Sequence, residues 1–125
     1  MSKARKASAL CRLALAAFLL AACAGTVAEV EGRAKLEGSA ETTTTSGKSL
    51  VVQYSVINAG SLRITRSAVD FRARTGAHTY YFTAVDTTPI PAGATIYAAA
   101  SVQYYASTES LVAGSVEVIG GFFEP

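Results

Sequence analysis

The chain has 125 residues, enough for one domain with a sizeable core. Four of its 11 basic residues (Lys3, Arg5, Lys6 and Arg12) fall in the first 12 positions, which carry no acid. From residue 23 onward, seven basic residues face nine acidic ones, a net charge near −2 that argues against a nucleic-acid partner. The two cysteines are Cys11 and Cys23, so residues 24–125 have neither a disulfide nor a thiolate metal ligand.

The N-terminus reads as a targeting segment. Lys3, Arg5 and Lys6 form a positive region, and the ten residues Leu13–Ala22 are apolar. Ten residues are too few for a bilayer, which takes about 20, but they match the apolar helix of a signal peptide. Two cleavage patterns overlap at its end. Ala22-Cys23-Ala24 fits ordinary signal peptidase, which would leave a plain secreted domain starting near Gly25. Leu20-Ala21-Ala22-Cys23 resembles the lipobox of bacterial lipoproteins at all four positions. That resemblance implies removal of residues 1–22 as signal peptide, alkylation of the Cys23 thiol with diacylglycerol, and acylation of the new N-terminus. Two or three acyl chains would anchor the protein durably. Ala24, not Asp, follows the cysteine. By the enteric sorting pattern this implies the outer membrane, with the domain facing the periplasm.

Residues 23–28 are expected to form a tether of small residues, and residues 29–125 the folded domain. Val30, Gly32, Ala34 and Leu36 alternate with charged neighbours, the period-2 signature of a strand with one wet face. The Thr-rich stretch Gly38–Lys48 reads as a hairpin whose loop proper shrinks to Ser46-Gly47-Lys48, since Thr is strand-compatible. Leu50–Ile57 is the next strand, with Val52, Tyr54 and Val56 on one face, and Asn58–Ser61 ends it. Val69, Phe71 and Ala73 alternate with Asp70, Arg72 and Arg74 in another half-buried strand, and an exposed cross-strand ion pair is expected for Asp70. Thr79–Val85 is a strand dense in aromatics.

Pro91 and Gly93 suit the second and fourth positions of a type I turn. Thr95–Tyr105 is read as a strand with Ile96, Ala98, Ala100, Val102 and Tyr104 on one face, because its apolar residues make no clean helical stripe. Leu111–Val118 is expected to be the closing strand, with Val112, Val116 and Val118 inward and Ser115 and Glu117 outward. Gly120–Pro125 would then be a tail whose two Phe seal the core. Six to seven strands joined by turns, following an N-terminal signal helix, predict an all-β antiparallel β-sandwich.

Between Val52 and Val102 the chain resembles small bacterial immunoglobulin-like modules of the CARDB and FxLyD groups. The matching features are Val52-Gln53-Tyr54-Ser55-Val56-Ile57-Asn58, the Gly60 turn, Ile64, Val69-Asp70-Phe71, and Ile90-Pro91-Ala92-Gly93 ahead of a long strand. The F-x-L-y-D string itself is absent. The resemblance implies an immunoglobulin-like sandwich in which the Asn and the Pro/Gly turn are structural, and it implies no particular activity.

Chemistry is sparsely represented. His78 is the only histidine and reads as a solvated residue at a hairpin tip. Asp86 stands where a strand enters a loop, suited to bonding its own turn. No phosphate loop, nucleophile elbow or metal motif is present, so no enzyme, cofactor or metal is expected. Adjacent residues of a strand point to opposite faces, so the pairs Tyr80-Tyr81 and Tyr104-Tyr105 each put one ring outside. Tyr81, Tyr97 and Tyr105, with Arg72 and Arg74, form the candidate interaction surface. The expected role is a non-catalytic, membrane-tethered module that binds an envelope protein. The alternative is capture of a glycan or small apolar molecule by exposed Tyr rings.

Overall fold

The computed structural model describes residues 28–125, so the signal-peptide expectation and the tether up to residue 27, Cys23 included, lie outside the described residues. Six strands follow in order: β1 (Gly32–Thr44), β2 (Gly47–Asn58), β3 (Arg66–Arg74), β4 (Thr79–Asp86), β5 (Thr95–Gln103) and β6 (Glu117–Glu124). They form two three-stranded antiparallel sheets, β1-β2-β5 and β4-β3-β6. The fold is an all-β sandwich. Among the described residues no helix is long and apolar enough to cross a membrane.

The central strand of each sheet supplies most of the core. Alternation along β2 buries Leu50, Val52, Tyr54 and Val56, and alternation along β3 buries Val69, Phe71 and Ala73. Tyr54 and Phe71 meet edge to face at 5.2 Å between ring centroids, and Phe71 stacks on its cross-strand partner Phe82 at 5.3 Å. The Thr-rich stretch pairs all the way to Thr44↔Gly47, so the hairpin turn is only two residues long.

Successive strands alternate in direction, which gives the molecule two distinct ends. One end holds the chain leading into β1, the loops 59–65 and 87–94, and the C-terminus. The other holds the turns 45–46 and 75–78 and the loop 104–116. At the first end, the fully buried Asn58 ties two loops together. Its Nδ2 donates to the carbonyls of Leu62 (2.7 Å) and Ile90 (2.8 Å), and its Oδ1 accepts from the Gly60 N–H (3.0 Å). Ile64 and Ile90 then exchange backbone hydrogen bonds of 3.0 and 2.8 Å across the bottom of the core.

Three sequence expectations are corrected. The closing strand is β6, Glu117–Glu124, not Leu111–Val118. Gly114 turns the chain at φ 74°, and Ser115 is buried: its Oγ accepts from the Arg74 N–H (3.1 Å) and donates to the Arg74 carbonyl (3.0 Å). The supposed tail pairs with β3 from Arg66↔Glu124 to Arg72↔Glu117 around a bulge, and an edge strand with a bulge tolerates Gly120-Gly121. Phe123 packs on the core while Phe122 faces outward.

The second correction concerns the Pro91 turn, which is shifted by one residue. The Ala94 N–H donates to the Pro91 carbonyl (3.0 Å), putting Gly93 third at φ +81°, the type II position that favours glycine. Thirdly, Asp70 does not pair with arginine. It accepts from the Thr83 hydroxyl on its cross-strand neighbour, while Arg72 pairs with Glu117 opposite it at 2.8 Å. The cross-strand ion pair expected for Asp70 is formed instead by Arg72, the next outward residue of β3.

Candidate functional site

The candidate residues are all at the surface but not together. Tyr81 projects from β4 on the outer face of β4-β3-β6, beside its register partner Arg72. Tyr97 projects from β5 on the outer face of the opposite sheet, and Tyr105 lies in the loop after β5. Arg72 is held by Glu117, and Arg74 stands opposite Thr79 at the end of β3. A single surface of three tyrosines and two arginines therefore does not form. Strand alternation is obeyed at Tyr81 and Tyr97, which belong to different sheets, whereas Tyr105 lies beyond β5, which ends at Gln103 and not at Tyr105 as expected.

A different apolar surface does form. In one rank across β4-β3-β6, Val85, Ala68 and Phe122 lie side by side. With Tyr81 further along β4 and Ile119 at the β6 bulge, they give one sheet face four exposed large apolar residues: Tyr81 at 67% exposure, Val85 at 54%, Ile119 at 46% and Phe122 at 60%. Near it an open cavity of about 320 Å³ is lined by Asp70, Phe71, Tyr81, Phe82, Thr83 and Ile119. Val85 shares the face of Tyr81 by simple alternation and was legible in the sequence. Ile119 and Phe122 were not, because their strand was placed too early.

The far end carries a polar cluster that sequence reasoning missed. Glu109, only 6% exposed, sits beneath Tyr80 and Tyr105. Its Oε1 accepts from the hydroxyls of Thr75 (2.6 Å) and Tyr80 (2.7 Å) and lies 3.2 Å from His78 Nδ1. Its Oε2 accepts from the Ala106 N–H (3.0 Å). Burial alone would raise the carboxyl pKa, but these hydrogen bonds outweigh it and bring it down to about 2. The Tyr80 hydroxyl also accepts from the Tyr105 N–H (2.9 Å), and the His78 ring meets the Tyr105 ring at 4.8 Å. His78 is therefore part of a network rather than simply solvated. Glu109 lies in the run Ser107-Thr108-Glu109-Ser110, whose polarity carries no periodic signal.

The chemistry open to this cluster is limited by where its protons go. A carboxylate–histidine pair orients a base, and nucleophilic catalysis then needs a hydroxyl or thiol within reach of that base. The neighbouring hydroxyl, Thr75, donates to Glu109 and accepts from the backbone N–H groups of Ala77 (3.2 Å) and His78 (3.0 Å). It acts as a turn anchor. A second carboxylate, Glu41, extends the network: its Oε2 accepts from the Leu111 N–H and the Tyr104 hydroxyl, both at 2.8 Å. The Leu111 N–H is the main reason its pKa is lowered, opposed by burial. Among the described residues, no group of three or more His, Cys, Asp or Glu side chains is placed to hold a metal.

No family model matches the chain, and no curated protein matches it. One solved structure is similar to 76% of this chain and 83% of its own, with 13% identity and a TM-score of 0.37: the X-ray structure of Northeast Structural Genomics Consortium target SoR45.

Proposed function

We propose that the chain is a non-catalytic lipoprotein of the bacterial envelope, anchored by acyl chains on Cys23, which meets a protein partner through the outer face of β4-β3-β6. The observation that carries the reading is the concentration of Tyr81, Val85, Ile119 and Phe122 on one sheet face. Large apolar residues exposed together on one face and rimmed by polar residues mark an interaction site; Arg72–Glu117 and Arg66–Glu124 supply the rim here, and the hydrogen-bonded pair Thr83–Asp70 lies between Tyr81 and the Val85–Phe122 rank. The anchor is supported by the Leu20-Ala21-Ala22-Cys23 motif directly after the apolar segment.

The test has two arms. A palmitate analogue fed to the producing cells is expected to label the chain, and Cys23→Ser is expected to abolish the label; an unlabelled parent chain refutes the anchor. A photoreactive benzophenone amino acid substituted at position 81 is expected to give a discrete protein adduct in intact cells, absent when it is placed at position 97. Equal adducts at both positions, or none at 81, refute the docking face. A second reading, capture of a glycan or small apolar molecule by stacking on Tyr81, draws on the open cavity beside that ring. It predicts no protein adduct at position 81.

A further inference from the structure

We propose that the free edge of β5 is a dimerisation edge, onto which β5 of a second copy of this chain adds antiparallel, joining two β1-β2-β5 sheets into one six-stranded sheet. This stands independently of the anchor and of the apolar sheet face. An edge strand exposes a row of unpaired backbone donors and acceptors, and monomeric proteins guard it with charges, bulges or covering loops.

The edges of this molecule are treated unequally. β1 carries Arg33, Lys35, Glu37 and Glu41 and a bulge between Leu36 and Gly38. β6 carries Glu117 and Glu124 and is bulged opposite Asp70/Phe71. β4 ends in Asp86. β5, Thr-Ile-Tyr-Ala-Ala-Ala-Ser-Val-Gln, has no charge and no proline, and its pairing with β2 runs unbroken for nine residues. On its other side, no backbone group of Thr95–Gln103 has a partner among the described residues. The strand carries neither charge nor bulge to guard it.

The occupant follows from the chemistry of the strand itself. A two-fold axis through Ala99 makes the edge self-complementary. Ala99 then faces Ala99 of the second copy, Tyr97 faces Ser101, and Thr95 faces Gln103 on the outer face. On the inner face Ile96 meets Val102 and Ala98 meets Ala100. Every cross-strand pair is uncharged, so none opposes like charges. The exposed ring of Tyr97, left without a role by the β4-β3-β6 face, would lie across the Ser101 of the other copy.

Residues directly opposite on antiparallel strands have Cα atoms about 4.5–5.5 Å apart, within disulfide reach. The full chain carrying Ala99→Cys, oxidised mildly in the producing cells, is therefore expected to run at doubled mass on a non-reducing gel, well above the parent chain, whose own Cys23 sets the background. It should do so at least tenfold more than Lys35→Cys on β1 or Thr83→Cys on β4. Comparable dimer from either control, or an Ala99→Cys adduct at a mass other than twice the chain, overturns the proposal. Charge reversal gives a second measurement that needs no thiol. Differently tagged Ala99→Lys and Ala99→Glu chains are expected to co-purify at least tenfold better than two Ala99→Lys chains. Equal recovery overturns it, since Ala99 is exposed and both variants keep the core intact.

Discussion

A carboxylate among aromatic rings is unfavourable unless its lone pairs are taken up, and Glu109 meets that condition through Thr75, Tyr80, Ala106 and His78. The consequence is a pH dependence of definite sign. With its folded-state pKa near 2 against an ordinary value of 4.5, Glu109 stabilises the fold fully above about pH 4.5. That contribution is lost as pH falls from there through about 2, where the folded carboxyl takes its proton. Glu41, lowered chiefly by the Leu111 N–H, acts in the same direction. Urea midpoints of the parent chain should therefore decline between pH 4.5 and 2. Glu109→Gln should be less stable at pH 7, because an amide group brings its own donors against those of the site, and its acid decline should be shallower. Parallel declines in the two proteins would show that Glu109 is not the group that titrates.

Elements here are held as much by loops as by sheets. The loop 59–65 is laced to the chain leading into β1 by three backbone bonds: Ala59 N–H to the Glu31 carbonyl (2.8 Å), and Ser61 and Leu62 N–H to the Glu29 carbonyl (3.1 and 3.2 Å). Only glycine fits at position 60 in this crossing, since a Cβ there would lie 2.5 Å from the Glu29 oxygen and 2.7 Å from the Glu31 nitrogen. Gly60→Ala is expected to cost about 1–3 kcal/mol, as other overpacked sites do. It should lower the urea midpoint at unchanged slope. Gly76→Ala, with open space around it, should stay within about 0.5 kcal/mol of the parent; a Gly60→Ala chain equally unaffected would show the crossing to be loose.

The same distinction governs how much could be read from the residues alone. β2, β3 and β5 were legible because burial imposes alternation, and Val52, Tyr54, Val69 and Phe71 display it. β6 was not, because its Gly-Gly centre is placed by backbone pairing with β3 and shows no side-chain pattern. Tyr81, Tyr97 and Tyr105 were each legible as surface rings. Their dispersal was not, because it depends on which strands share a sheet, and alternation says nothing about that.

At the scale of the whole molecule, the two ends of the sandwich differ in what they hold. The chain enters at the end formed by loops 59–65 and 87–94, while the Glu109 network closes the opposite end. If Cys23 bears acyl chains, the stretch from residue 23 to residue 29 reaches no more than about 20 Å even fully extended. A nine-residue strand adds about 30 Å beyond that. The first end must then lie near the lipid, and a domain held upright on this tether puts its far end the length of the sandwich away. A fluorophore on Thr88→Cys, in the full lipidated chain reconstituted in vesicles, should be quenched by lipids brominated in their headgroup region. The same fluorophore on Thr108→Cys, exposed at the far end, should be quenched several-fold less. Equal quenching would mean that the domain lies on its side, with the β4-β3-β6 face as the natural surface to turn toward the bilayer. The benzophenone at position 81 would then report lipid rather than protein, so the two measurements together decide whether that apolar face is presented to a partner or to the membrane itself.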